Sequence, residues 1–389
     1  YGSLGNQVMD DLGNFPYLAT YGTNSSYNYL INGSKPVIVK APGLVAPDFT
    51  WETVTQMDFG FDASFLNNRL TGTFDWYRRN TKDMLVAGAT LPATLGASVP
   101  KSNSADMKTI GWELSLGWND RLENGFSYWV KGVLSDYQAT ITKYAGNDAG
   151  FYSQSDGDGK YYVGQKIGEI WGYHSNGLFQ SDDEAATIDQ SELYAGKWGA
   201  GDVKYEDLDN DGKITKGEET IYNPGDKSII GNKTPRYQFG ITVGFDYKNF
   251  DFEMFWQGTG KRDYMLSGAQ FWGFTSQWDV PYTPALDYWT ETNTDAYFPR
   301  PGWQNGGNRV TSDRYLQSAA YGRLKNLTVG YTIPKNLTTK WGISRLRLYV
   351  TGENLLTITP LNDAFDPETL GGMTYPINRK VAIGLNLTL

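Results

Sequence analysis

The sequence predicts an all-β protein, an antiparallel transmembrane β-barrel with long loops on one side. Three observations predict it. Apolar and polar residues alternate with period two in about nine segments, each near the roughly 9–11 residues that cross a bilayer at a tilt. No run approaches the roughly 18 consecutive apolar residues of a spanning helix. The mean hydropathy of −0.48 instead suits strands whose lipid-facing and water-facing side chains alternate. Finally, short and long connections alternate along the chain, and every long one falls on the same side, the asymmetry of outer-membrane barrels.

Residues 1–52 read as a loop segment leading into the barrel, and residues 53–389 as its strands and loops. In the first strand, Thr53–Phe65, residues Met57, Phe59, Phe61, Ala63 and Phe65 share one face, with Gln56, Asp58, Asp62 and Ser64 on the other. Arg69–Asn80 sets Leu70, Gly72, Phe74 and Trp76 against Thr71, Thr73, Asp75, Tyr77 and Arg79. Lys108–Trp118 and Gly125–Tyr137 repeat the pattern. Arg236–Tyr247 and the strand from Phe250 form a hairpin about Lys248-Asn249, with Val243, Phe245, Phe252 and Met254 opposing Asp251 and Glu253. Gly322–Ile333, Ser344–Leu355 and Arg379–Leu389 complete the set.

Short turns are expected at 66–68, 119–124, 248–249 and 334–343, and long loops at 81–107, 138–235, 259–321 and 356–378. Face-to-face packed sheets of a secreted β protein would alternate equally well. Against that reading stand the repeated Asp, Glu, Arg and Gln of the polar faces, which suit a wet lumen. Aromatics near strand ends, such as Trp76, Trp118, Tyr247 and Trp256, suit interfacial girdles.

Composition narrows the chemistry. The 389 residues carry 34 Lys and Arg against 43 Asp and Glu, a formal charge of −9, with pI near 4.8. That excludes the basic footprint of a nucleic-acid binder. Aromatics at 15% exclude disorder. There is no cysteine and one histidine, His174, which removes disulfide scaffolds, thiolate or imidazole zinc sites, and any Ser-His-Asp triad except around that one ring. His174 itself is expected to pack within its loop. The chain begins at Tyr1 without Met or leader pattern, as a processed or partial chain would.

The sharpest motif runs from Asp207 to Glu218 and fits D-x-[DN]-x-[DN]-G-x5-E. Carboxylates at Asp207, Asp209 and Asp211, a turn glycine at Gly212, the Lys213 carbonyl, Thr215 through water and a bidentate Glu218 are the hard oxygen set of a Ca²⁺ loop. A structural Ca²⁺ is therefore expected there. The shorter Asp156–Asp158 cluster reads as a turn. Asp182-Asp183-Glu184 reads as a helix start capped by Ser181 rather than as paired glycosidase carboxylates. Aromatics crowd the long loops, and Trp171, Tyr173, Trp198, Trp272, Trp278, Trp289 and Trp303 are candidates for contact with substrate or a lid. The bland reading of each is loop core. Asn-x-Thr triplets at Asn326 and Asn386 lie on strands, so glycosylation is not expected.

Several ordered segments resemble the SusC/RagA family of TonB-dependent outer-membrane transporters. They are Ile167–Tyr173 (IGEIWGY) followed by Asn176–Phe179, Gly201–Tyr205 (GDVKY), Ile230–Tyr237 (IGNKTPRY), Tyr321–Pro334 (YGRLKNLTVGYTIP) and Arg347–Leu356 (RLYVTGENLL). The likeness runs from about Trp51 to Leu389. It implies the C-terminal portion of a barrel of about 22 strands, with the family's N-terminal plug and TonB-contacting box outside this stretch. The last residue is Leu389 where many such barrels end in Phe.

The resemblance implies active import of glycans or oligopeptides across the outer membrane, with no covalent chemistry. It implies a SusD-like surface lipoprotein as lid, energy from the TonB complex, outer-membrane lipids around the barrel and a dimer of transporter–lipoprotein pairs. The reading from another class is a secreted or surface-anchored, calcium-stabilised β-rich glycan-binding module.

Overall fold

The computed structural model describes the backbone of residues 2–7 and residues 18–24, 30–31, 33–39, 42–45, 50–87, 92, 94, 96, 99–145, 147, 150–151, 161–370, 375 and 377–389. The Asp156–Asp158 turn lies outside them. The described strands are β1 (Gly2–Gln7), β2 (Thr23–Asn24), β3 (Ile38–Val39), β4 (Glu52–Phe65), β5 (Leu70–Ala87), β6 (Lys101–Arg121), β7 (Ser127–Tyr144), β8 (Glu169–Tyr173) and β9 (Ser175–Leu178). There follow β10 (Val203–Tyr205), β11 (Lys227–Asn232), β12 (Arg236–Tyr247), β13 (Phe250–Lys261), β14 (Asp263–Met265), β15 (Leu316–Ser318), β16 (Tyr321–Thr332), β17 (Arg345–Ile358) and β18 (Lys380–Thr388). Short helices α1 (Asp182–Ala185), α2 (Ala269–Trp272) and α3 (Lys335–Thr338) punctuate the connections.

Ten strands form one antiparallel sheet in the order β1-β4-β5-β6-β7-β12-β13-β16-β17-β18. Except for β1, these are the strands expected from alternation. Their lengths differ from expectation. β5 runs on to Ala87 past the expected end at Asn80, β6 begins at Lys101 rather than Lys108, and β7 continues to Tyr144. The loop expected at 81–107 shrinks accordingly. In these extensions polar side chains take up backbone groups: Leu85 N–H donates to Glu52 Oε1 at 2.9 Å, and Asp83 N–H to Asp106 Oδ1 at 2.9 Å. Pairing continues where apolar alternation has stopped, so period-two reading ended these strands early.

By contacts the chain divides into two units. The first, residues 1–59, 77–110 and 138–166, buries Leu85, Ala105, Ala139, Ile141, Phe151 and Tyr162. In it Ile141 N–H donates to the Gln165 carbonyl at 2.9 Å, tying β7 to the chain after it. The second, residues 60–76, 111–137 and 167–389, holds most of the sheet and the long connections.

Within the second unit the register fixes two unlike faces. Lys248, at φ 55°, makes the tight turn that sets Tyr247 opposite Phe250, Phe245 opposite Phe252 and Asp246 opposite Asp251. On one face the Phe245 and Phe252 rings stack at 5.0 Å, with Phe126 5.5 Å from Phe245 and Phe250 4.7 Å from Tyr331. This face continues into Val329, Leu348, Val350 and Leu385, all exposed, and to Ile383 at 83% exposure.

The other face is ionic. Arg347 on β17 binds Asp251 on β13 in bidentate fashion, Nε to Oδ1 at 2.8 Å, reaching across the whole of β16. It crosses at Gly330, where a Cβ would run into both the Asp251 carboxylate and the Arg347 guanidinium. Beside it the Thr328 and Thr351 hydroxyls bond at 2.9 Å. This polar wall bounds a cavity of about 580 Å³ lined by Trp129, Asp246, Glu253, Arg345 and Arg347 among others.

The expected outcome for a bilayer-spanning sheet is face-dependent tolerance. Arginine at Val350 or Ile383 should cost roughly 2–4 kcal/mol near the midplane, and far less at Thr328 or Thr351. Refolding equilibria in lipid vesicles measure this, and equal costs on both faces would refute the assignment.

Candidate functional site

The long connections of the second unit pack over their own hydrophobic core. Phe271 and Tyr315 are completely buried, with Leu178, Val203, Tyr205, Ile214, Trp272 and Phe298 around them. Phe271 meets Phe298 edge-on at 5.1 Å, and Trp272 meets Tyr315 at 4.5 Å. Burial drives the Tyr315 phenol far above its usual range. Among its described residues the expected loop at 138–235 thus contains, beyond the end of β7, four strands, with β8 paired to β11 and β9 to β10.

Buried charge ties distant parts of this layer together. Asp202, 1% exposed, accepts from Arg300 Nη2 at 2.7 Å and Nε at 3.1 Å, from Asn308 Nδ2 at 2.8 Å and from the Gly199 N–H at 2.9 Å. Asn308 Oδ1 in turn accepts the Val203 N–H at 2.8 Å. A second tie joins buried Arg323 on β16 to Asp366 at 2.6 Å and Glu368 at 3.2 Å, fixing the connection before β18. The helix start at Asp182 is as expected, with Ser181 Oγ accepting the Glu184 N–H at 3.1 Å and Glu184 returning to the Gln180 N–H.

The candidate aromatics separate into two groups. Tyr173 and Trp272 are buried, while Trp171, Trp198 and Trp289 are half-buried, the last two against the core. Trp278 at 84% and Trp303 at 47% exposure remain on the surface. Trp278 is joined by exposed Val280, Tyr282 and Leu286 along the same segment. Sequence alone marked every one of these rings without distinguishing wall from surface.

In the acidic loop, Asp207 closes the turn itself. Its Oδ1 accepts the Asn210 N–H at 2.7 Å and its Oδ2 the Gly212 N–H at 2.8 Å. Ile214, fully buried, anchors the loop through its N–H to the Asp189 carbonyl at 2.7 Å. The carboxylates brought together are Asp207, Asp209 and Asp226, whose oxygens lie within 4.8 Å of one another. Asp211 instead accepts the Lys213 N–H at 2.8 Å, and Glu218 lies in a turn closed to the Asn223 carbonyl; neither belongs to that cluster.

Asp226 lies beyond the motif, so spacing could not find it. It is fully buried and accepts the Leu208 N–H at 2.8 Å and the Thr215 N–H at 2.7 Å. The cluster's electrostatics are uneven. Burial lifts Asp209 above its usual 3.8, and the charges of Asp211, Asp226 and Asp207 add to this against the opposing Asp211 N–H. Burial also acts upward on Asp207, but the N–H groups of Gly212, Asn210 and Asp211 outweigh it and hold the group below 3.8. Three hard carboxylates in this arrangement are a donor set suited to Ca²⁺ rather than to soft metals.

His174, expected to pack in its loop, is half-exposed and engages Asp313 and Ser228 through its two ring nitrogens.

Residues 7–355 match a family model described as TonB dependent receptor-like, beta-barrel. Among curated relatives, TonB-dependent receptor P3 of Formosa agariphila is 29% identical over the whole of this chain and 38% of its own length. TonB-dependent receptor SusC of Bacteroides thetaiotaomicron is 26% identical, again over all of this chain and 37% of its own. The chain therefore spans about two fifths of the length of the curated relatives it matches. A solved structure of the RagAB peptide transporter superposes with a TM-score of 0.74 at 21% identity, covering 99% of this chain and 40% of that one. That likeness establishes the fold.

The two roles of the loop residues are separable by substitution. Phe271→Ala should cost roughly 3–5 kcal/mol. Arg300→Ala should cost roughly 2–4 kcal/mol, because it strands a buried carboxylate while its own guanidinium is part exposed. Trp278→Ala should change stability by less than about 0.5 kcal/mol. Denaturant titration of the detergent-solubilised protein, followed by tryptophan fluorescence and protease resistance, checks the ranking.

Proposed function

Because the chain belongs to the TonB-dependent receptor β-barrel family, a family of outer-membrane receptors and transporters rather than enzymes, we propose that it is barrel wall of a nutrient importer. In this reading the chain carries glycans or oligopeptides across the outer membrane, powered through TonB. The observation that carries the proposal is the two-faced sheet. An apolar face with Ile383 83% exposed lies back to back with a charged wall braced by Arg347 and Asp251, as a strand between lipid and a wet lumen requires.

A SusD-like surface lipoprotein acts as lid, and the exposed Trp278, Val280, Tyr282 and Leu286 segment, with Trp303, is the surface it or the cargo meets. Large apolar side chains exposed along one segment mark interaction sites. Deletion of the gene should abolish uptake of the cargo, and collapsing the proton-motive force should do the same. Uptake that survives de-energisation would overturn the reading. Trp278→Ala combined with Val280→Ser should lower recovery of the lipoprotein with the transporter at least about tenfold, the weight of a hot-spot pair, with folding intact.

Ca²⁺ belongs to the same proposal. Asp207, Asp209 and Asp226 hold it; of the expected motif set, Asp211 and Glu218 stand outside this cluster. The ion supplies no chemistry beyond cancelling charge and stiffening the loop. The raised Asp209 gives a test with a sign reversal. In chelator, Asp209→Asn removes a crowded charge and should make residues 207–226 more protease-resistant than wild type. In millimolar Ca²⁺ the wild type should become the more resistant of the two. A loop indifferent to both chelator and substitution would show a plain turn.

A further inference from the structure

Both ring nitrogens of the chain's single histidine are engaged. His174 Nδ1 lies 2.7 Å from Asp313 Oδ2, and Nε2 lies 2.7 Å from Ser228 Oγ. The second Asp313 oxygen accepts the Ser175 N–H at 3.0 Å, so the carboxylate is held from two sides. A carboxylate only accepts, so in the neutral ring the proton is assigned to Nδ1 and the Nε2 lone pair receives the serine O–H.

The three groups stand on fixed elements. His174 follows Tyr173, the buried last residue of β8. Ser228 stands in β11 opposite Gly172 of β8. Asp313 follows fully buried Ser312, which bridges in parallel to Tyr173. Tyr173 N–H donates to the Thr311 carbonyl at 3.0 Å, and Asp313 N–H to the Tyr173 carbonyl at 3.1 Å. Gly172 permits this close approach, since a Cβ there would stand 2.7 Å from the Thr311 oxygen. The side chains of His174 and Asp313 are nevertheless 35% and 40% exposed, within reach of a small reagent.

From this geometry we propose that Ser228 is an activated nucleophile, with His174 as its base and Asp313 as the residue positioning the ring, and that it accepts acyl groups from small activated esters. This reactivity is additional to import. Ser228 Oγ bonds to the ester carbonyl carbon while its proton passes to His174 Nε2. The tetrahedral adduct collapses, the carbon–oxygen bond to the leaving group breaks, and a phenolate departs into solvent, which also takes up the proton that His174 Nε2 releases. Water then attacks the acyl-serine and passes a proton to Nε2. That proton returns to Ser228 Oγ as the carboxylic acid leaves. A phenolate or fluoride leaving group departs without a proton donor, so hydroxyl, imidazole and carboxylate suffice.

The test uses the full-length protein in detergent, with p-nitrophenyl acetate and a fluorophosphonate probe, and peptide mass mapping of the adduct. The expected result is modification of Ser228, lost in Ser228→Ala and slowed at least about 100-fold in His174→Gln, the weight of a general base. Asp313→Asn should slow it and also displace the pH profile, because the ring's tautomer is no longer fixed. A purely structural role would not produce that displacement. Protease resistance of the loop layer reports folding of each variant. Should His174→Gln misfold, the wild-type profile decides: a rate rising with loss of one proton supports the proposal, and a flat profile overturns it. Absence of adduct, adduct spread evenly over surface serines, or undiminished labelling in folded His174→Gln also overturns it.

Discussion

A strand that separates hydrocarbon from water has to pair every N–H and C=O with a neighbour, because lipid offers no substitute. That constraint dictates most of what the sheet looks like. It forces antiparallel ladders from β4 onward, shifted in register only at Phe255/Trp256 and Leu324/Asn326 among the described pairs of β12 to β18, and tight turns, even at the cost of a positive φ at Lys248. Side chains are left free to alternate, and the two faces diverge completely. It also explains why Gly330 lacks a side chain: the Arg347–Asp251 pair must span an intervening strand whose own backbone is already fully used in the ladder.

Alternation made nine of the sheet's strands legible, because side-chain period two is a direct imprint of the two solvents. It failed where both faces meet water or protein. The ends of β5 and β6 carry Asp83, Asn103 and Asp106 bonded within the sheet, so the sequence turns polar while the ladder continues. The four short strands of the 138–235 connection were invisible for another reason. Their pairing is set by packing around Tyr205 and Phe271, residues far apart in the chain.

The candidate site was readable to a similar degree. The Asp207–Glu218 spacing located a turn with converging acids, since local geometry follows from Gly212 and Asn210 at positive φ. Asp226 escaped because it lies outside the motif and reaches it only in the folded loop, through the Leu208 and Thr215 amides. Ser228 and Asp313 escaped likewise, since only the folded β8–β11 pair and the Tyr173–Ser312 bridge bring them to His174. Among the tryptophans, burial could be assigned only once the layer had closed.

The tie between Asp202 and the Arg300–Asn308 segment bears on assembly order. Its hydrogen bonds join positions 98 and 106 residues apart, and β16 to β18 follow only after that segment. As the chain emerges from its N-terminal side, the stretch holding Phe179, Asp202 and Tyr205 has to wait, with its aromatic side chains uncovered, until residues near 300 arrive. Contacts of such separation form late and slowly. The loop layer is thus a keystone structure, completed from its far end, and the interval before closure is when this chain is most open to aggregation and to proteases.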